Sequence, residues 1–282
     1  MKTKTILQTL LKSLVIGAVY ATALALGGMI LTLFGLRLPE VKDAAASLMW
    51  SFAGGVIMGL CLGPIAASMP AARTRHILVW GSLIFLNIAS VAIEGYFFAP
   101  ALIGGGLPAL LIQQLLAALA TSWVITRLFA SQQTVTPDTP LRRSFISWTW
   151  RFITGTLAYV IFYFIFGGIN YALVTKPYYE SHTGGLDVPA VEVTFTAEVI
   201  RGALIALSIL PILLTLRADK KRTVLLTGWV LFAVGGLVPL TMQVGALPLF
   251  LLIASAWEIL AMNFSTGAAL ARLFGRPEGL EQ

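Results

Sequence analysis

Among the ionisable side chains inside stretches that are otherwise apolar are Glu94, Glu198, Arg201 and Glu258. An ionisable group in a membrane-spanning helix is expensive unless it faces protein or water, so each is a candidate for handling a substrate or a proton. Glu258 is the deepest. It lies eleven residues into the apolar run 247–273, about 16 Å at the helical rise and near the middle of a hydrocarbon core. Its short side chain cannot snorkel to the headgroups from there. Ala254, Glu258, Ala261, Ser265 and Ala268 share one helical face, a small-residue surface that another helix can approach.

Arg201 falls five residues inside the start of the run 196–216, shallow enough for its long side chain to reach headgroups. Glu198 stands three residues before it, in pairing distance, and Ser208 and Thr215 follow on the same face. Asn87, Ser90 and Glu94 make a comparable polar face on the third apolar run. Gln113 and Gln114 on the fourth run, and Tyr159, Tyr163 and Asn170 on the fifth, add polar groups at membrane depth. Unpaired burial of charge is costly. The expected arrangement is therefore Arg201 paired with Glu258 or Glu94, closing a polar patch that opens outward.

Other chemistries lack their parts. Two histidines and one cysteine, far apart, do not make the usual nitrogen and sulfur ligand set for zinc, although an all-carboxylate site stays open. No metal or cofactor is expected. Gly104, Gly105 and Gly106 are followed by Leu107 and Pro108 rather than the lysine of a phosphate-binding loop, and no nucleophile elbow occurs. The run Glu198-Val199-Ile200-Arg201-Gly202 resembles in part the motif of the CAAX-protease-like membrane proteases, in which paired glutamates precede an arginine and a glycine. Here Ala197 replaces the adjacent glutamate, the spacing to the arginine is one short, and neither His76 nor His182 lies in a downstream helix. A water-activating site is thus without its bases.

The elements that must position these residues follow from composition. A chain of 282 residues that is 58% hydrophobic and 11% charged cannot hide its apolar surface in one soluble core. Eight runs reach spanning length: 13–36, 48–70, 77–99, 107–130, 148–174, 196–216, 223–245 and 247–273. The first is too long for a signal-peptide core and reads as an uncleaved helix. The formal net charge of +7 does not imply nucleic acid, because the lysines and arginines fall in short loops between runs. Fifteen of them lie on one side and only Arg37, Lys42 and Lys176 on the other. Both termini are therefore expected in the cytoplasm.

The fold expected is all-α, a polytopic integral membrane protein of eight helices built as a tandem 4+4 repeat of parallel topology. Gly55 aligns with Gly202, Cys61 with Ser208, Pro64 with Pro211, Arg73 with Lys220 and Arg75 with Arg222, all offset by 147 positions. Lys12 and Tyr20 resemble Arg151 and Tyr159 in spacing, and Arg127-Leu128-Phe129 resembles Arg272-Leu273-Phe274. The division is 1–130, a polar cytoplasmic linker 131–147, and 148–282. Pro64 and Pro211 are the helix-kink candidates, and paired interruptions in two repeats point to a transporter's binding site. The stretch 175–195 is the one substantial outer loop, with His182, Glu180 and Asp187 as its candidates. The function expected is a secondary or facilitative carrier of a small solute or lipid. The alternative is a non-catalytic subunit, sensor or assembly factor, and a membrane-embedded enzyme is the weaker reading. The partners expected are the lipid bilayer, a small-molecule or lipid substrate and a membrane partner subunit. The location expected is multi-pass, in a bacterial inner membrane.

Overall fold

A computed structural model of the chain describes residues 3–39, 41, 43–130, 143–216 and 218–275. Most of the linker expected at 131–147 lies outside these residues, as do Lys2, Lys42, Arg142, Arg217 and Arg276 of the charge count. The molecule is a multi-pass membrane protein whose described residues include eight helices long and apolar enough to span a bilayer. These are α1 (Thr3–Leu33), α2 (Ala44–Ser68), α3 (Arg73–Phe98), α4 (Leu107–Phe129), α5 (Phe145–Glu180), α6 (Val191–Thr215), α7 (Lys220–Met242) and α8 (Leu249–Phe274).

Local chemistry sets the ends. Asp43, Ser144 and Asp219 cap α2, α5 and α7, each side chain accepting a backbone N–H three residues on, which satisfies one of the orphan donors of a helix start. After α1 the chain reverses at Gly35, whose φ of +76° favours glycine. There the Gly35 and Leu36 N–H groups donate back to Thr32 and Leu31, as in a Schellman closure.

Two helices do not end where their α-helical hydrogen bonding changes. α5 passes through a π turn at Tyr171–Thr175 into Lys176–Glu180, and α7 through a π turn at Ala233–Leu237 into Val238–Met242. A proline follows each π turn, Pro177 and Pro239. A proline inside a helix lacks an N–H and presses on the carbonyl four residues back, and widening the preceding turn relieves both problems. Pro64 and Pro211, the expected kink sites, lie inside α2 and α6, which continue past them.

The connection expected at 175–195 also changes. Lys176–Glu180 is helical and α6 starts at Val191, so 181–190 alone connects the helices across this stretch, not 175–195. The polar residues Glu192 and Thr194 hide the start of α6 from a hydropathy reading.

In the packing, α1 lies against α2 and α4, and α3 against α4; α5 lies against α6 and α8, and α7 against α8. α3 with α6, and α2 with α7, join the two sets. Backbones approach closely where glycine permits: a Cβ at Gly55 would stand 2.8 Å from Gly17 Cα and 2.8 Å from Tyr20 Cβ. At Gly202 it would stand 2.9 Å from the Thr156 carbonyl and 2.9 Å from the Tyr159 ring. Lys12 Nζ donates to the Leu128 carbonyl at 2.6 Å, and Arg151 donates to that of Leu273. Leu14, Ile30, Ile161, Ile253 and Trp257 are exposed, as lipid-facing residues should be. The connections 34–43, 99–106, 181–190 and 243–248 gather at one face: Gly106 abuts Pro39, Gly185 abuts Ala101, Gly184 abuts Leu247, and Asp187 N–H donates to the Phe98 carbonyl. We call it the loop face.

Candidate functional site

Below the loop face a cavity of about 820 Å³ opens between the helices. Its wall is mostly apolar, and among the described residues Arg201 is its one cation and Glu94 and Glu258 its carboxylates. Gln113, Gln114 and Tyr163 also line it, as do residues of both π turns, Tyr171, Thr175, Gly235 and Gly236. The volume falls in the roughly 300–1,000 Å³ range of small-molecule sites.

Arg201 does not reach for headgroups. Because α6 begins at Val191, Arg201 lies ten residues along it, about 15 Å in, rather than at a shallow depth. Side chains lean toward the start of their helix, and that start is at the loop face. The guanidinium therefore climbs to Glu198, whose carboxylate it meets through Nη1 at 2.8 and 2.7 Å, and to Glu94, met through Nη2 at 2.7 Å. Arg201 is 4% exposed and Glu198 0%, whereas the Glu94 side chain keeps 29% of its surface. Tyr159 O–H donates to Glu198 at 3.1 Å, and the rings of Tyr159 and Tyr163 each lie 5.7 Å from Arg201 Cζ. The Arg201 Nε–H is buried without an acceptor among the described residues. Of the two partners expected for Arg201, Glu94 is the one it meets, joined by Glu198.

Glu258 takes a different partner. Its Oε2 accepts from Asn170 Nδ2 at 2.6 Å. Gly167 makes room for it, since a Cβ there would stand 3.1 Å from Oε1. Both Glu258 and Arg201 line the same cavity, so they belong to one patch without touching.

The glutamines tie the first helices together around this space. Gln113 Nε2 donates to the Leu24 carbonyl at 2.7 Å, and Gln114 Oε1 accepts from Tyr20 O–H at 3.1 Å. Asn87 is elsewhere: its Nδ2 donates to Leu83 O and to Ser208 Oγ, both at 2.8 Å, fastening α3 to α6 outside the cavity wall. Pro64 and Pro211 also lie outside it, near the opposite ends of α2 and α6. His182 Nδ1 and Asp187 Oδ1 pair at 2.7 Å in the exposed connection, and Glu180 ends the helical turn where it meets Lys176 at 3.6 Å. None of these three lines the cavity. Among the described residues no three His, Cys, Asp or Glu side chains gather into a metal-binding group.

Tyr171 and Tyr179 escaped the sequence reading. Their rings lie 5.8 Å apart on the cavity wall. A π turn absorbs about one extra residue, so a separation of eight residues spans two turns and brings both rings to one face. The spacing of Tyr171 and Tyr179 is out of register with a plain α-helix and falls into place only once the π turn between them is known. Comparison with protein-family models, with curated proteins and with solved structures found no match to this chain.

Proposed function

We propose that the chain is a secondary or facilitative carrier that passes a small solute or lipid through the cavity below the loop face. One observation carries this reading: a cavity of about 820 Å³ at membrane depth has Glu258, Glu94 and Arg201 in its wall. Charged side chains kept inside a membrane protein are costly and mark solute or ion pathways. The two π turns that border it give the wall segments whose hydrogen bonding can be rearranged, and π turns concentrate at functional sites.

The 4+4 repeat accompanies this reading. It is supported by like contacts in the two sets of helices: Tyr20 against Gly55 and Tyr159 against Gly202. Lys12 on Leu128 likewise parallels Arg151 on Leu273. Exchanging the first four helices for the last four also exchanges the α3–α6 contact for the α7–α2 contact. The loop charges favour both termini in the cytoplasm, so the cavity would open to the outer side. The assembly reading loses ground because small-residue faces on α2 are occupied within the chain, Gly55 by Gly17 and Tyr20 and Gly59 by Ser13. The enzyme reading loses ground because His182, Glu180 and Asp187 stand outside the cavity.

A carrier must expose its site to both sides in turn. With the single cysteine removed by Cys61→Ser, Ser255→Cys places one thiol on the cavity wall. A membrane-impermeant maleimide should label it in vesicles of either orientation. Labelling from one side only would overturn the carrier reading, and the side labelled reports the orientation.

A further inference from the structure

The wall of the cavity has the wrong charge for an anion. Arg201 is already matched by the two-pronged contact with Glu198 and by Glu94. An anionic guest at its terminal nitrogens would have to displace a carboxylate. Glu258 is different, because its hydrogen-bond partner Asn170 is neutral and among the described residues no cation forms an ion pair with it. Three carboxylates therefore face one guanidinium in and behind the wall. A charge that a membrane protein keeps in a low-dielectric interior acts strongly on a guest of opposite sign.

The rest of the wall suits the body of such a guest. Tyr163, Tyr171 and Tyr179 line the cavity, and aromatic faces attract cations, most strongly when desolvated. Leu24, Ile88 and Met262 add apolar surface. The buried Nε–H of Arg201 is a donor that a neutral oxygen on the guest could take up after a small shift of the side chain.

We propose, resting on the carrier reading, that the substrate class is a monovalent organic cation with an apolar body, its charge held by Glu258 and the tyrosine wall. The guest enters as a whole and no bond is made or broken.

Tetraphenylphosphonium and tetraphenylborate have nearly the same size and shape and opposite charge. Binding of each, radiolabelled, is measured to the full chain in nanodiscs of neutral lipid, with empty nanodiscs subtracted. Saturable binding of the phosphonium and at least about tenfold weaker binding of the borate are expected, as for a tenfold change per 1.4 kcal/mol. Glu258→Gln should weaken phosphonium binding by about tenfold or more, and Tyr179→Leu by a smaller factor. Borate binding equal to or tighter than phosphonium binding overturns the proposal, and so does saturable phosphonium binding that Glu258→Gln leaves unchanged. If either variant fails to fold, the two ions on the unaltered chain still decide the sign. Failure here leaves the two-sided labelling of Ser255→Cys intact, whereas one-sided labelling with selective phosphonium binding upholds the cation site and removes the carrier.

Discussion

Replacing Arg201 by leucine tests whether its ion pairs hold the core of the site. Glu198 is 0% exposed and would keep only the Tyr159 hydroxyl, 3.1 Å away, as a partner. Glu94 would lose its contact too, but with 29% of its side-chain surface open it can be hydrated. The cost therefore falls on Glu198, and removing one partner of a buried pair costs about 3–5 kcal/mol. At roughly 2–3 °C per kcal/mol for a chain of this size, the melting temperature of the detergent-solubilised protein should fall by roughly 6–15 °C. Fluorescence-detected size exclusion after heating reads this directly. Adding Glu198→Gln in the same chain replaces the stranded charge with a neutral amide that Tyr159 can still bond, and most of the loss should return. The reasoning fails if Arg201→Leu melts within about 2 °C of the parent, or if the second substitution restores nothing.

Further outcomes follow from particular contacts. Gly55→Ala should destabilise by about 1–3 kcal/mol, because its Cβ would meet Gly17 and Tyr20 at 2.8 Å. Gly168→Ala, with nothing within 4 Å, should be neutral or slightly stabilising by the same melting assay. Tyr20→Phe leaves the Oε1 of Gln114, a residue 1% exposed, without its donor and should cost about 1–3 kcal/mol. Tyr159→Phe should cost less, because Glu198 keeps Arg201. Protein lost on Arg201→Glu should be recovered better by Glu94→Arg than by Glu258→Arg, since Glu94 touches Arg201 and Glu258 bonds to Asn170. Equal recovery in the membrane fraction would count against the geometry described.

How much of the fold was legible depends on how each feature is encoded. Spanning helices are set by the length and hydropathy of contiguous residues, and each of the eight apolar runs became one. The start of α6 was misplaced because Glu192 and Thr194 are polar and a hydropathy run cannot see helical hydrogen bonds among them. That shift of five residues decided whether Arg201 was shallow or deep. The π turns were hidden because period 3.6 is the template against which a helix is read, although Pro177 and Pro239 marked both.

The candidate site divides in the same way. The sequence by itself determined which side chains were costly enough at membrane depth to need partners: Glu94, Glu198, Arg201 and Glu258 are exceptions in apolar runs, and an exception is visible without coordinates. It also determined the i,i−3 contact between Arg201 and Glu198, which local helix geometry makes available. Only the tertiary structure decided that Glu94 rather than Glu258 completes the pairing of Arg201, that Asn170 holds Glu258, and that a cavity lies beside both. Those choices depend on how α3, α5, α6 and α8 are placed around one another. That placement comes from glycine contacts and side-chain packing between distant segments, where no spacing along a single helix carries the information.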